Sequence, residues 1–338
     1  MGGFISLNTC TSEKKIRLGI IGTNFVSDWL TEEAQKSGLY EVCAVYSRKM
    51  ETGEMYAAKH AIPVVYTDME AFLSDPTLDA VYISSPNACH AAQTIDALRH
   101  GKHVLCEKPI ATSSAEYREM RQAAREHGKI LLEAMRPAHD PAILAIREHL
   151  PALGTIRRVQ LEFCQYSSRY DRFKAGEILN AFTPSLGNAA IMDIGVYAVH
   201  VCALLFGMPS LDKPFYSRSV FADNGMELMG EMLLPYGDTA PVQITYAKIY
   251  NSLTPSVISG EKGGILIDKL SNPNSVRLKL RDGTDKELCM APLANNMVYE
   301  LSAFARCIAT GENPHERVSE IEMAILDRIR EKNGISFH

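Results

Sequence analysis

The 338-residue sequence predicts an α/β protein in two halves: a doubly wound parallel sheet, then an α/β half with a large, mostly antiparallel open sheet. Three observations carry this. Short apolar runs alternate with helix-like stretches as far as residue 132. Glycine closes several of the helix-like stretches, at Gly38, Gly101 and Gly128. Beyond Met135 the alternation breaks, and strand-like runs separated by Gly/Asp turns take over. Strands alternating with helices imply parallel pairing, since each crossover helix returns the chain to the same end of the sheet.

In order, residues 16–21 form an apolar run ending at Gly22, a buried strand, and residues 24–37 a helix. A second strand at 42–46 leads into a helix at 51–60 and a short strand at 64–66. Asp68 is placed to cap a brief helix over 68–73, because its carboxylate can accept from the first free N–H groups. A strand at 80–83, a helix at 87–100, a strand at 104–106, a helix at 113–127 and a strand at 130–132 complete the series.

Gly22-Thr23-Asn24-Phe25-Val26-Ser27 lies between a strand and a helix, where the dinucleotide pattern G-x-G-x-x-G/A belongs. Asn24 replaces its middle glycine and Ser27 its third. Asparagine tolerates a left-handed backbone, and serine is small enough for helix–strand packing. Helix N-terminal N–H groups can therefore still face a pyrophosphate. An ordinary strand–turn–helix fits the same residues. The tip of the second strand, Tyr46-Ser47-Arg48-Lys49, lacks the acid that bonds the ribose of NAD. A hydroxyl beside two cations suits the extra phosphate of NADP, which makes NADP the preferred cofactor over NAD. A solvated loop would share that composition.

Glu107-Lys108-Pro109 follows the strand at 104–106, and ligands of doubly wound sheets sit beyond the carboxyl ends of the strands. A lysine there is positioned to meet a substrate.

In the second half, 136–141 reads as a connector and 142–150 as a helix. Strands follow at 156–163, 219–221, 231–234, 242–249, 256–259, 264–267 and 275–280, with turn signals such as Tyr236-Gly237-Asp238 between them. Helices return at 188–206, 297–310 and 319–332. The first of these carries Asp193 and Tyr197 four residues apart on one face, with His200 three further on. A carboxylate among Ala190-Ile191-Met192 and Ile194-Gly195 needs a partner if buried, and Lys108 is the candidate. A capping aspartate beside a core tyrosine remains an equal reading of the spacing alone.

Composition narrows the functions. Apolar residues at 46% and charged ones at 22% exclude a disordered chain. A net charge of −5 with no basic run gives no support to a nucleic-acid partner. Eight cysteines, none in a C-x-x-C pair, read as reduced cytoplasmic thiols. The ten histidines show no paired ligand spacing, so no metal is implied, and His139 beside Asp140 reads as a structural contact. No apolar stretch reads as a membrane span, and residues 1–14, with Met1-Gly2 and Ser6 in a loose myristoylation pattern, read as a disordered tail.

Gly22-Thr23-Asn24, Ser85-Pro86-Asn87-Ala88-Cys89-His90, Glu107-Lys108-Pro109 and Asp193-Ile194-Gly195-Val196-Tyr197 occur in the order and spacing of the Gfo/Idh/MocA oxidoreductases. The sequence resembles that family from about Lys15 to its end, including Gly260-Glu261-Lys262-Gly263. It looks most similar to the dihydrodiol dehydrogenase-like branch, which has tyrosine where other branches carry histidine, here Tyr197. The resemblance implies a Rossmann domain over 15–135 and a substrate-binding and oligomerisation domain over 136–338, giving a homodimer or homotetramer through the second sheet. It implies NADP or NAD contacting Gly22, Thr23, Asn24, Phe25, Ser47 and Arg48, with Ser85, Pro86, Asn87, His90, Glu107, Lys108 and Arg136 toward the nicotinamide. The family's Gly-Gly-Gly ahead of the catalytic helix is here Gly187-Asn188-Ala189.

The implied reaction is hydride transfer between nicotinamide and a carbinol carbon of a sugar, polyol or cyclic diol, a small carbohydrate-like substrate. Lys108, Asp193 and Tyr197 are the expected catalytic group, with either Tyr197 or Lys108 moving the proton. Two rivals use the same parts: an NAD-dependent glycoside-cleaving enzyme, and a dinucleotide-binding regulator without turnover. Residues 165–188, rich in Tyr166, Arg169, Tyr170, Arg172 and Lys174, are expected to select a polyhydroxylated or acidic substrate.

Overall fold

Strands apolar on both sides need cover on both faces, and the first half meets that need with helices from both ends of the chain. The computed structural model describes residues 14–237, 240–290 and 292–337. The expected tail up to residue 13, with its Met1-Gly2 and Ser6 pattern, Cys10, and Asp238 of the Tyr236-Gly237-Asp238 turn lie outside the described residues. The first half runs β1 (Ile16–Ile21), α1 (Phe25–Ser37), β2 (Tyr40–Tyr46), α2 (Met50–His60), β3 (Val64–Tyr66), α3 (Met69–Leu73) and β4 (Ala80–Ile83). It continues with α4 (His90–Arg99), β5 (His103–Glu107), α5 (Ser114–Glu126) and β6 (Leu131–Ala134).

The six strands lie in the order β3-β2-β1-β4-β5-β6, all parallel. The order reverses between β1 and β4, so the connections leave to opposite faces and open a crevice beyond the strand ends. Period-two alternation divides the strands between two cores. Leu18, Ile20, Val45 and Tyr82 pack with Leu30 of α1 and Tyr56 of α2. Ile21, Ala44, Val81 and Val104 pack with Phe72 of α3, Leu98 of α4 and Met120 of α5.

The second half contains α6 (Arg136–His139), α7 (Pro141–His149), β7 (Ile156–Cys164), α8 (Tyr170–Lys174), a π-helical turn (Ile191–Gly195) and α9 (Val196–Phe206). Then come β8 (Tyr216–Phe221), β9 (Glu227–Leu234), β10 (Val242–Ala247), β11 (Ser256–Gly260), β12 (Gly263–Ile267), β13 (Val276–Leu280) and β14 (Asp285–Glu287). Helices α10 (Met297–Thr310) and α11 (Glu316–Asn333) close the chain. The eight-stranded sheet runs β14-β13-β12-β11-β7-β10-β9-β8 and is antiparallel except for β7 with β10. That parallel pair sets the ends Cys164 and Ala247 side by side.

Several sequence expectations change in detail. Glu107 is the last residue of β5 instead of lying beyond it. The connector contains the helical turn α6, started by Arg136 with Pro137 in its first turn, where proline is tolerated. β14 carries Asp285, Lys286 and Glu287, all exposed, so no apolar alternation marked it as a strand. The segment Pro184–Phe206 is long and apolar enough to cross a membrane, contrary to the sequence expectation, but it is mostly buried as a core helix. Helix α10 returns to the first sheet: Met297, Leu301 and Phe304 join its core, and Tyr40 Oη donates to the Leu301 carbonyl at 2.6 Å.

Candidate active site

Each parallel strand of the first sheet delivers a polar segment at its carboxyl end. At the end of β1, Gly22 has φ +109°, and a Cβ there would stand 2.6 Å from Ser84 Oγ and 2.9 Å from the Ser84 carbonyl. Only glycine allows this turn at that spacing. Asn24 is extended (φ −91°, ψ 175°), not left-handed, and caps α1: Oδ1 accepts from Val26 N–H at 2.8 Å and Ser27 N–H at 3.1 Å. Its Nδ2 donates to the Ser84 carbonyl at 2.7 Å, tying the ends of β1 and β4 together. Asparagine therefore replaces the glycine by capping. A tight glycine turn feeding a helix N-terminus at the sheet's switch point fits a bound pyrophosphate. At the tip of β2, Ser47 is buried and Arg48 exposed.

Beyond β4, Ser85 donates to Gln93 at 2.6 Å, while Asn87 Nδ2 donates to the Gly187 carbonyl at 3.0 Å and so braces the segment before the π turn. His90 differs from its expected place lining the nicotinamide. It is fully buried, with Nδ1 at 2.9 Å from the Pro109 carbonyl and Nε2 at 2.9 Å from the Ser85 carbonyl. It braces the two neighbouring loops from behind.

The polar groups converge at the end of β5. Glu107 accepts from Tyr82 Oη at 2.5 Å. Lys108, followed by a cis peptide to Pro109, is only 14% exposed and donates to the Asp193 carbonyl at 2.8 Å and Asp193 Oδ1 at 3.1 Å. Its Nζ stands 4.8 Å from the centroid of the Tyr197 ring. Arg136 Nη2 donates to Tyr197 Oη at 3.4 Å, and Phe163 of β7 meets the Tyr197 ring edge-on. The π turn places Asp193 and Tyr197 on the same side of the helix. His200 faces away from them and toward Glu322, so it does not share their site.

Sequence reasoning missed Lys248. It follows β10 directly, is 2% exposed, and pairs with Asp193 Oδ2 at 2.9 Å. The signal was present: a lone lysine ending an apolar run, as at Lys108. Burial alone would push the Asp193 carboxyl up, but the ammonium groups of Lys248 and Lys108 hold it well below the usual carboxylate range. Burial would lower Lys108, yet its neighbours Tyr197, Asp193 and Glu107 hold it above its ordinary range. Glu300 of α10 was also missed: neither carboxyl oxygen has a hydrogen-bond partner, and burial, reinforced by Glu107, pushes its carboxyl far up.

A second polar cluster lies behind the Lys108 loop. Glu133 Oε1 accepts from Ile110 N–H at 3.0 Å, Oε2 accepts from Ser319 at 2.6 Å, and His200 Nδ1 lies 2.5 Å from Glu322 Oε2. Glu133, His200 and Glu322 are the one group of metal-capable donors that converges among the described residues; His200 Nε2 and Glu322 Oε1 have no hydrogen-bond partner, while the other donor atoms bond each other or their neighbours. His139 packs edge-on against His315, and Asp140 caps α7 through Ala142 N–H.

On the far side of the crevice, Tyr170, Phe173 and Phe182 stack around Met226 and Leu228. Arg172 pairs with Glu177 and Lys174 with Asp171, so those cations are already matched. Arg169, the third cation of this segment, lies over the Phe25 ring instead of beside a carboxylate.

The oxidoreductase family with an NAD-binding Rossmann fold matches residues 16–135. The chain is 38% identical over 327 residues to a scyllo-inositol 2-dehydrogenase (NADP(+)) of Bacillus subtilis, covering 95% of this chain and 98% of that protein. It is 28% identical over 338 residues to the mouse trans-1,2-dihydrobenzene-1,2-diol dehydrogenase, with the same shares covered. A 3-ketoreductase from Actinomadura kijaniata, solved with NADP and TDP-benzene, superposes with TM-score 0.81 at 24% identity over 94% of this chain and 98% of that one.

Proposed function

This chain belongs to the Gfo/Idh/MocA oxidoreductase family, in the dihydrodiol dehydrogenase-like branch, and on that premise we propose its reaction and the residues that carry it. The enzyme transfers a hydride between NADP and a carbinol carbon of a polyol, sugar or cyclic diol. Lys108, Asp193 and Tyr197 form the catalytic group. One observation supports this above the rest: an ammonium held by Asp193 and set against the Tyr197 ring, at the carboxyl end of a parallel strand.

Gly22, Thr23, Asn24 and Phe25 would hold the pyrophosphate, and Ser47 with Arg48 the adenosine phosphate. Ser85, Pro86, Glu107 and Arg136 would border the nicotinamide end, with Asn87 and His90 bracing them. The cofactor supplies the hydride chemistry. Lys108, kept charged by its neighbours, polarises the substrate oxygen. Tyr197 Oη, beside that ammonium, exchanges the proton with the same oxygen, giving it in reduction and taking it in oxidation. Asp193 fixes the direction of the ammonium.

The similarity to an NADP-dependent inositol dehydrogenase and to dihydrodiol dehydrogenases supports a cyclic polyol or diol as substrate. Seven described cysteines are free thiols, which supports a cytoplasmic enzyme. Tyr216, Val220, Phe221 and Leu233, exposed on β8 and β9, support assembly through the second sheet into a homodimer or homotetramer. Light scattering of the purified chain checks the assembly. Reduction of NADP⁺ and NAD⁺ against inositols, sugars and trans-dihydrodiols tests the function. NADPH should form in equal amount to oxidised substrate, and Arg48→Ala should raise the KM for NADP⁺ about tenfold while sparing NAD⁺. A folded protein that binds NADPH yet turns over none of these substrates would reject the reading.

A further inference from the structure

Lys248 occupies an expensive position for a lysine. Its ammonium is withdrawn from water, which is tolerated only where charge and hydrogen bonds replace the lost hydration. Three contacts do so: Asp193 Oδ2 at 2.9 Å, the Ala181 carbonyl at 2.8 Å, and the Phe182 ring, whose centroid lies 4.7 Å away. Its backbone is pinned as well, with N–H to the Leu228 carbonyl at 2.9 Å and C=O to Ser167 N–H at 2.8 Å. A lysine needed only to fill space would be replaced at lower cost by an apolar side chain.

Resting on the function proposed above, we propose that Lys248 is a positioning residue for hydride transfer, acting through Asp193. By holding Oδ2 it fixes the carboxylate so that Oδ1 and the main-chain oxygen of the same residue aim Lys108. Two ammonium groups around one carboxylate leave the cluster with a surplus positive charge. That surplus favours the substrate oxygen as it gains negative charge in the transition state. Lys248 also joins the segment around Ala181 and Phe182, which borders the aromatic cluster, to the same carboxylate. The position of that segment and the aim of Lys108 are thereby linked.

The charged and titratable groups around this centre come from several elements. Lys108 follows β5, Arg136 starts α6, Tyr197 lies on α9 and Glu107 ends β5. Glu227 of β9, buried beside Lys248, accepts from Ile191 N–H, Ser219 and Tyr246. Lys248 and Lys108 are the two cations that keep Asp193 ionised. Without Lys248, burial of the carboxylate is opposed by one ammonium alone, so Asp193 takes up a proton at higher pH than before.

The test compares Lys248→Met and Lys248→Arg, each alone and with Asp193→Asn, in the full chain. Lys248→Met should bind NADPH with unchanged affinity by fluorescence titration. Its kcat should fall about 100-fold, the scale of a misaimed catalytic group, and the acid limb of its pH–kcat profile should move upward. Lys248→Arg should restore most of the rate. In the Asp193→Asn background, Lys248→Met should cost less than threefold more. A folded Lys248→Met with wild-type kcat and pH profile would overturn the inference, as would a full 100-fold loss in the Asp193→Asn background. If Lys248→Met does not fold, Lys248→Gln is read by the same criteria, and Lys248→Arg with a normal pH profile but no dependence on Asp193 would also overturn it. Wild-type protein without any NADP-linked turnover would instead remove the underlying function.

Discussion

Asp193 and Glu322 are both carboxylates on helical segments of the second half, yet their surroundings drive them in opposite directions. Asp193, 38% exposed, has an ammonium at each oxygen and is held far below the usual range. Glu322 is sealed from solvent, with His200 at 2.5 Å and Glu133 nearby. Burial pushes both Glu322 and Glu133 up, each to about 8. Desolvation acts on all three carboxyls. The outcome depends on whether the partner keeps its charge in the same setting: Lys108 does, while burial lowers the His200 imidazole toward its neutral form. One cluster is therefore a fixed ion network open to substrate, and the other a neutral, proton-sharing clamp. The loop between them serves both, since Lys108 bonds Asp193 and Ile110 bonds Glu133.

The contrast is sharpest in a variant that should touch only one side. Lys108→Met should lower kcat about 1,000-fold, far beyond any change in its NADPH affinity. A loss confined to KM would place Lys108 in substrate binding alone. Tyr197→Phe should lower kcat about 100-fold, measured in the same NADPH assay. On the sealed side the readouts reverse. His200→Ala should cost about 2–4 kcal/mol in urea unfolding, from the cavity and the carboxyl left without its partner. Its kcat at 25 °C should stay within threefold of wild type, and a catalytic loss like that of Lys108→Met would merge the two clusters into one.

The smallest expected effect lies in pH. Glu133 and Glu322 bind protons more tightly in the folded chain than in the unfolded one. Their contribution to stability is complete below the ordinary carboxylate value of 4.5 and is lost as pH rises through about 8. Glu322→Gln, which cannot ionise, should flatten the fall of thermal midpoint between those pH values. Asp193→Asn should leave that slope unchanged, because the Asp193 contribution is lost only as pH falls below the normal carboxylate range. Equal slopes in wild type and Glu322→Gln would show that the sealed carboxyls are ionised in the fold.

Much of the candidate site was legible because its signals are local. Lys108 stands beyond an apolar strand, Gly22 ends another, and Asp193 interrupts an apolar helix. Lys248 and Glu300 carry the same signal, a single charge in an apolar run, but Lys248 meets Asp193, and Glu300 feels Glu107, only across more than fifty residues of sequence. Asn24 was read by backbone tolerance when its side-chain capping mattered, and His90 was read as facing a ligand when both ring nitrogens face backbone carbonyls in the interior. A side chain's identity does not reveal which way it points once neighbouring elements pack.

Periodicity and punctuation by themselves determined the alternating parallel sheet, because it follows from which residues avoid water along the chain, and a few local motifs carried the likeness to the family. Tertiary structure alone decided that α10 returns to cover the first sheet, that β7 pairs in parallel with β10, and that Lys248 closes on Asp193. Those are choices among distant partners. Local sequence sets how strongly each group seeks one, and only packing decides which it finds.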